Sequence, residues 1–300
     1  MTPAGQRVPF CFVDVFARRP LTGNPLSLVP DADDLAEPQM QAIAREFNQS
    51  ETTFVLRPTG AATWRLRSFT PAGAEVFGAG HNALGAWLWL AEAGRVAVGA
   101  GPRLTQEIGD EVLPVEVGRG DDGAVSVTMD QSAPAFGEMV DDRTGLAAAL
   151  GLGPADLVPD EPAQVVSTGA GHLLVPVRDR AAVDRAVPVT ERLVAVLGQV
   201  GGEGCYLYSR DPDGEAGAVA YTRFFNPTMG IAEDPATGTA AGPLVARLVA
   251  EGKVAGDGRP VIVAQGHKVG RPSRIQVSVA GPRVRVGGSG LVVAEGTIAL

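Results

Sequence analysis

Arg67-Ser68-Phe69-Thr70-Pro71-Ala72 returns near the far end of the chain as Arg223-Phe224-Phe225-Asn226-Pro227-Thr228. A glycine-rich turn and an apolar run follow each copy. Ala79-Gly80-His81-Asn82-Ala83-Leu84-Gly85 continues through Trp87-Leu88-Trp89-Leu90 to Gly94. Thr237-Gly238-Thr239-Ala240-Ala241-Gly242 continues through Leu244-Val245-Ala246-Arg247-Leu248 to Gly252. Upstream, Gly23-Asn24-Pro25-Leu26-Ser27-Leu28 aligns with Gly171-His172-Leu173-Leu174-Val175-Pro176, and Thr53–Arg57 with Tyr206–Arg210. The offset drifts from 148 to 158, as small loop insertions produce. Four matches in one order imply an internal duplication.

Each half reads as mixed α and β. The first has strands at Phe12–Phe16 and Leu26–Val29, a helix at Pro38–Phe47, and strands at Glu51–Arg57 and Trp64–Phe69. Its apolar helix follows, then strands at Val112–Val117 and Ala124–Met129. The second has strands at Val165–Ser167 and Leu173–Val177, a helix at Thr190–Val200, and strands at Cys205–Ser209 and Val219–Phe225. After its apolar helix come Val261–Ala264 and Arg274–Val279, and the chain closes with strands at Arg283–Val286 and Leu291–Ile298. Ala83–Leu90 is apolar on nearly every face, so it must be buried on nearly every side. The expected fold is therefore α+β, each half a curved mixed β-sheet around a central apolar helix. Residues 1–128 form one repeat domain and 129–290 the other, with 291–300 returning to the first.

Composition narrows the function classes. Of 300 residues, 45% are hydrophobic and 20% charged, and acidic residues outnumber basic ones 34 to 25 for a net charge of −9. No basic stripe opposes that balance, so nucleic acid is not an expected partner. Cys11 and Cys205 are too few for a disulfide framework or a zinc site and read as small core residues. His81, His172 and His267 are scattered without a His-x-x-x-His spacing, so no metal is expected. Gly78-x-Gly80-x-x-Ala83 formally matches a dinucleotide fingerprint, but Ala97–Gly101 offers no acidic partner and no P-loop is present, so no nucleotide cofactor is expected. Met1–Arg7 has no apolar signal core and Leu84–Ala91 is far too short to span a bilayer. The expectation is a cytoplasmic protein without a membrane partner.

The glycines Gly78, Gly80 and Gly238 stand where the two apolar helices begin. A helix start carries unpaired N–H groups and a partial positive charge. Two such ends suit a carboxylate or the charge developing on an enolate. The bland alternative is two well-capped core helices.

Several ordered motifs then carry a resemblance. They are Ser50-Glu51-Thr52-Thr53-Phe54-Val55, Phe69-Thr70-Pro71, Gly80-His81, Met229-Gly230-Ile231-Ala232-Glu233-Asp234-Pro235-Ala236-Thr237-Gly238, and Gly270-Arg271-Pro272-Ser273. Together they resemble the phenazine-biosynthesis PhzF family over essentially the whole chain. The resemblance implies a duplicated, two-domain diaminopimelate-epimerase-like fold with the active site between the domains, usually as a homodimer. It also implies isomerisation without a cofactor. The family's best-known member isomerises trans-2,3-dihydro-3-hydroxyanthranilate through a glutamate that moves a proton between ring carbons. By motif match that glutamate is Glu51, the histidine is His81 and the aspartate is Asp234. Two positions depart from the pattern. Thr239 replaces a serine, keeping the hydroxyl and adding a methyl, and Asn82 stands where proline is frequent. Epimerases of this design that use two thiols would need cysteines near Ala79 and Thr237, which are absent.

The residues support these roles. A carboxyl buried at the head of a strand rich in Thr, Phe and Val is raised in pKa and suited to proton exchange near neutrality, which favours Glu51 as the acid–base group over a strand-start cap. Its copy falls near Gly204, so one base acts as acceptor and donor. Asp234 precedes the second apolar helix, either as a cap alone or as a cap that also orients substrate or water. His81, at a helix start, reads as a neutral hydrogen-bond donor. Gly80, Gly238 and Thr239 are candidate carboxylate ligands, and Asn24 either lines the cleft or only forms a turn. Glu233 reads as a solvated or loop-fixing neighbour, His172 and His267 as structural, and Arg271 as a surface or loop-locking residue. The expected protein is a cofactor-independent isomerase or epimerase of a small carboxylate-bearing metabolite. The alternative is a non-catalytic small-carboxylate binder that keeps the fold.

Overall fold

The computed structural model describes residues 6–99, 103–120, 123–212, 214–215 and 217–300. Residues 1–5 and 100–101, which entered the readings of the N-terminus and of the missing acidic partner, lie outside them. The chain divides into two compact units, Met1–Met129 with Gly287–Leu300, and Asp130–Val286.

The first unit contains β1 (Arg7–Val15), β2 (Asn24–Val29), α1 (Glu37–Phe47), β3 (Thr52–Leu56), β4 (Trp64–Phe69), β5 (Glu75–Val76), α2 (His81–Glu92), β6 (Leu104–Ile108), β7 (Glu111–Arg119) and β8 (Val125–Gln131). β1 pairs with β2, β3 with β4, β6 with β7 and β7 with β8, all antiparallel. β2 and β3 run parallel, as do β4 and β6, and β5 adds to β4. Parallel neighbours need a crossover. α1 supplies the first and α2 the second. Met40, Ile43 and Ala44 recur on one face of α1 and pack with Val29, Phe54 and Phe69. α2 packs against β1, β2, β3, β4 and β7, which is why nearly all its side chains are apolar. It comes close to the sheet at Gly85, where a Cβ would stand 2.6 Å from Leu26 Cδ2 and 2.8 Å from Val15 Cγ2. Gly85→Ala is therefore expected to destabilise by about 1–3 kcal/mol through overpacking, despite the better helix propensity of alanine, as urea unfolding would read.

The second unit contains β9 (Ala135–Met139), α3 (Arg143–Ala149), β10 (Gln164–Ser167), β11 (Gly171–Pro176), α4 (Arg180–Arg185), α5 (Thr190–Val200), β12 (Gly204–Ser209), β13 (Ala218–Asn226), β14 (Ile231–Asp234), α6 (Gly238–Ala250), β15 (Val261–Gln265) and β16 (Ser273–Ala280). β9, β10 and β11 form an antiparallel series. β11 and β12 run parallel, β12 and β13 antiparallel, β13 and β15 parallel, and β15 and β16 antiparallel, with β14 added to β13. α6 packs on β10, β11 and β16. A core of Leu146, Leu173, Val175, Val183, Leu193, Leu197, Leu207 and Phe225 joins α3, α4 and α5 to the sheet.

The last strand is β17 (Arg283–Ala299), and its later residues pair antiparallel with β1 from Arg7–Ala299 to Val15–Gly290. The sequence reading split this strand at Gly287-Gly288-Ser289-Gly290. The structure keeps it extended, because these glycines serve close approach rather than a turn. A Cβ on Gly287 would lie 2.5 Å from the Val127 carbonyl oxygen, and one on Gly290 would lie 2.4 Å from that of Asp14. β6 was also absent from the reading, since Thr105-Gln106-Glu107 lacks an apolar alternation. Gln106 and Glu107 are buried there with partners: Trp87 Nε1 donates to Gln106 Oε1 at 2.8 Å, and the Thr59 hydroxyl to Glu107 Oε1 at 2.7 Å. β9, exposed along its length, and the short α3 and α4 left no periodic signal either.

The repeated Arg-x-Phe motif makes the same contacts in each unit. Arg67 lies over the Phe69 ring at 5.0 Å and grips Glu75 with Nε and Nη2, both at 2.7 Å. Arg223 lies over Phe225 at 4.8 Å and grips Glu233 at 2.9 and 2.6 Å. Among the described residues no helix is long and apolar enough to cross a membrane.

Candidate active site

In the first unit, Glu51 lies in the link from α1 to β3. α1 ends at Asn48 in the left-handed conformation, and β3 starts at Thr52. Serine and threonine bridges fix this link. The Ser27 hydroxyl meets Thr52 Oγ1 at 2.6 Å and the Glu51 carbonyl at 3.3 Å. The Glu51 side chain is 20% exposed, and its Oε2 is buried without a hydrogen-bond partner among the described residues. Oε2 stands 3.7 Å from His81 Nδ1, and the other ring nitrogen of His81 is 3.4 Å from the Ser50 hydroxyl. Burial pushes the Glu51 carboxyl up from 4.5 to about 7.

His81 is the first residue of α2, and Asn82 locks the turn leading to it. The Gly80 N–H donates to Asn82 Oδ1 at 2.7 Å, while Asn82 Nδ2 donates to the Gly78 carbonyl at 3.0 Å and Ser68 Oγ at 3.1 Å. The Gly80 N–H, expected to face a carboxylate, is thus already engaged by Asn82. Asn24 opens β2 opposite Val15 and, at 1% exposure, offers a ligand almost no surface.

In the second unit, Asp234 ends β14 and Thr237 is the N-cap of α6. The Thr237 hydroxyl donates to Asp234 Oδ2. Gln265, fully buried at the end of β15, ties both together. Its Nε2 donates to the Asp234 carbonyl at 2.7 Å and to Thr237 Oγ1 at 3.1 Å. Its Oε1 accepts from the Thr237 N–H at 3.1 Å and from Tyr206 OH at 2.9 Å. Gly238 and Thr239 follow as the first residues of α6, and Thr239 Oγ1 meets His172 Nε2 at 3.2 Å. Glu233 is bound to Arg223, which makes it a loop-fixing residue.

The first unit thus holds a carboxyl raised to about 7, and the second holds a clamped start of α6 whose N–H groups form the positive end of the helix. The matched motifs run through the whole chain, and so does the family likeness. The PhzC-PhzF family, described as phenazine biosynthesis-like protein, matches residues 13–296. The chain belongs to the PhzC-PhzF family. Its curated relatives include the trans-2,3-dihydro-3-hydroxyanthranilate isomerase of Pseudomonas chlororaphis, 34% identical over 97% of this chain and 99% of that one. Among solved structures, the PhzF-family protein of Bacillus anthracis aligns with a TM-score of 0.90 at 29% identity, covering 98% of this chain and 100% of its own. A predicted epimerase from Pseudomonas aeruginosa aligns at 0.82 and 36%, covering 97% and 99%. The hydroxyproline epimerase of Agrobacterium vitis, at 0.62 and 16%, covers 98% and 93% and shares the fold. This PhzC-PhzF protein is an isomerase with an α+β fold of that epimerase kind.

Sequence reasoning missed Asn82 as a lock, Gln265 as a clamp and His172 as the neighbour of Thr239. Asn82 had a signal, its departure from the PhzF pattern. Gln265 had none, since its partners come from separate elements.

Proposed function

We propose that this isomerase works without a cofactor, moving a proton on a small carboxylate-bearing metabolite with Glu51 as the acid–base group. The observation that carries the reading is the Glu51 carboxyl, raised to about 7, with a buried oxygen that accepts no hydrogen bond among the described residues. The carboxylate takes a proton from carbon, and the C–H electron pair enters the conjugated system. Glu51 then returns the proton to another carbon of that system, so nothing is oxidised or reduced. A group with a pKa near ambient pH both takes and gives a proton with little mismatch. His81 is the polar neighbour that faces this exchange. Asp234, held by Thr237 and Gln265, orients substrate or water, and Gly238 and Thr239 bind an anionic group at the start of α6.

The same reading takes the two units as copies of one half. Support comes from the matching order of parallel and antiparallel pairs. It also comes from the twin arginine–glutamate grips. Gly85 and Gly242 add to it, standing at the fifth position of α2 and of α6, where a Cβ would strike a neighbour.

The substrate named for the relatives, trans-2,3-dihydro-3-hydroxyanthranilate, is the first to test. Proton NMR in deuterated buffer would follow isomerisation and deuterium uptake, alongside a small panel of amino and hydroxy acids. Since abstraction needs the carboxylate, kcat/KM is expected to rise with pH through an apparent pKa of about 7 and then level. Turnover with a flat profile from about pH 5 to 9 would overturn Glu51 as the base.

A further inference from the structure

We infer that His172 fixes the direction of the Thr239 hydroxyl, so that Thr239 presents its proton to an anionic ligand. His172 lies on β11 and is 3% exposed. Its Nε2 is 3.2 Å from Thr239 Oγ1, and its ring stands edge-on to Phe224, 4.9 Å between centroids at 83°. Its Nδ1 is buried with no hydrogen-bond partner among the described residues. Gly204 backs this ring. A Cβ there would stand 3.3 Å from His172 Nδ1 and 2.5 Å from Phe224 Cζ, so glycine is what lets the imidazole and the phenyl ring share the space.

A histidine so enclosed is neutral, and burial indeed lowers it to about 4. A neutral imidazole has one N–H to place. On Nδ1 it would be a buried donor facing no acceptor, and Thr239 would have to spend its only proton on Nε2. On Nε2 it donates to Thr239 Oγ1 and leaves Nδ1 as a bare lone pair. Buried orphan donors are the rarer and costlier defect, so the Nε2–H form is selected. The Thr239 oxygen then accepts from the ring, which leaves its own O–H free to point away from His172 on a residue that is half-buried. That adds an O–H donor to the N–H groups at the start of α6, all of one sign. His172 never touches the ligand. It is a positioning residue, and the ligand class it selects is a carboxylate rather than an ammonium or another donor. The inference rests on Thr239 binding an anion.

The chain has only three histidines, so 15N-histidine labelling gives three resolvable rings. Two-bond 15N–1H correlation, assigned with His172→Gln, is expected to show His172 with its proton on Nε2 from about pH 5.5 to 8. A proton on Nδ1, or titration to imidazolium in that range, overturns the inference without any ligand present. Binding supplies the second readout, with anthranilate as a non-turnover aromatic carboxylate. His172→Leu should weaken it about tenfold, while His172→Gln, whose amide can still donate to Thr239, should restore most of the loss. Equal affinity of wild type and His172→Leu also overturns it. Anthranilate binding that is absent, or unchanged in Thr239→Val, counts against the anion reading instead.

Discussion

Glu51→Gln is expected to lower kcat by about 10³-fold while leaving the chain folded and, at alkaline pH, more stable. The amide keeps the shape of the carboxyl and cannot carry a proton. It breaks little, because Oε2 accepts no hydrogen bond from the described residues. The stability gain follows from the raised carboxyl. Between about pH 4.5 and 7 the folded chain keeps the Glu51 proton while the unfolded chain releases it. Stability therefore falls as pH rises through that window. The shift corresponds to about 2 kcal/mol after allowance for a side chain that is partly exposed. Glu51→Gln removes that loss, so its unfolding midpoint at pH 8 should exceed that of wild type by several degrees, at about 2–4 °C per kcal/mol. Near pH 4 the two should differ little. Kinetics on trans-2,3-dihydro-3-hydroxyanthranilate and thermal unfolding at both pH values check the pair of results. Full activity in the variant would remove Glu51 from the chemistry. A variant less stable at every pH would make the carboxyl a structural group.

The recurring motifs were legible because they are carried by residues with special backbone or charge requirements. Arg67 and Arg223 each precede a phenylalanine by two places, and Gly80 and Gly238 each stand at the start of an apolar helix. These positions constrain structure wherever they occur. α5 (Thr190–Val200) and α1, extended by one residue to Glu37, were legible from the spacing of their apolar residues. What stayed hidden was the allocation of donors. A sequence shows that Gly80 has an N–H; only the fold shows that Asn82 has already accepted it. Likewise Gln265 reads as an ordinary polar residue ending a valine-rich strand. Its importance comes from Tyr206 on β12, Asp234 on β14 and Thr237 at the start of α6, which the parallel pairing of β13 with β15 brings to it. The Gln106–Trp87 bond in the first unit shows the same device, a glutamine on the strand after the crossover helix gripping its neighbours.

The twin grips give the second large effect, because they differ in burial. Arg223→Ala should destabilise by about 3–5 kcal/mol, and Arg67→Ala by only about 1–2 kcal/mol. The Arg223 and Glu233 side chains are 8% and 12% exposed, against 16% and 21% for Arg67 and Glu75. Arg223 also satisfies backbone at the end of α4, donating from Nη1 to the Val183 carbonyl at 3.0 Å and the Ala186 carbonyl at 2.7 Å. Truncation would strand those carbonyls and leave Glu233 charged and half-buried without a partner. The further partner of Arg67 is Glu37, which is 53% exposed and returns to water at little cost. Urea unfolding of both variants at pH 7 tests the difference, and equal costs would overturn the account. The loss at Arg223 should also reach the chemistry. Glu233 is the residue before Asp234 on β14, which pairs with β13 through Phe224 and Asp234, so freeing it loosens the strand that carries the aspartate. Arg223→Lys should keep the charge but not the fork that holds both carboxylate oxygens, and so should restore stability more than it restores kcat.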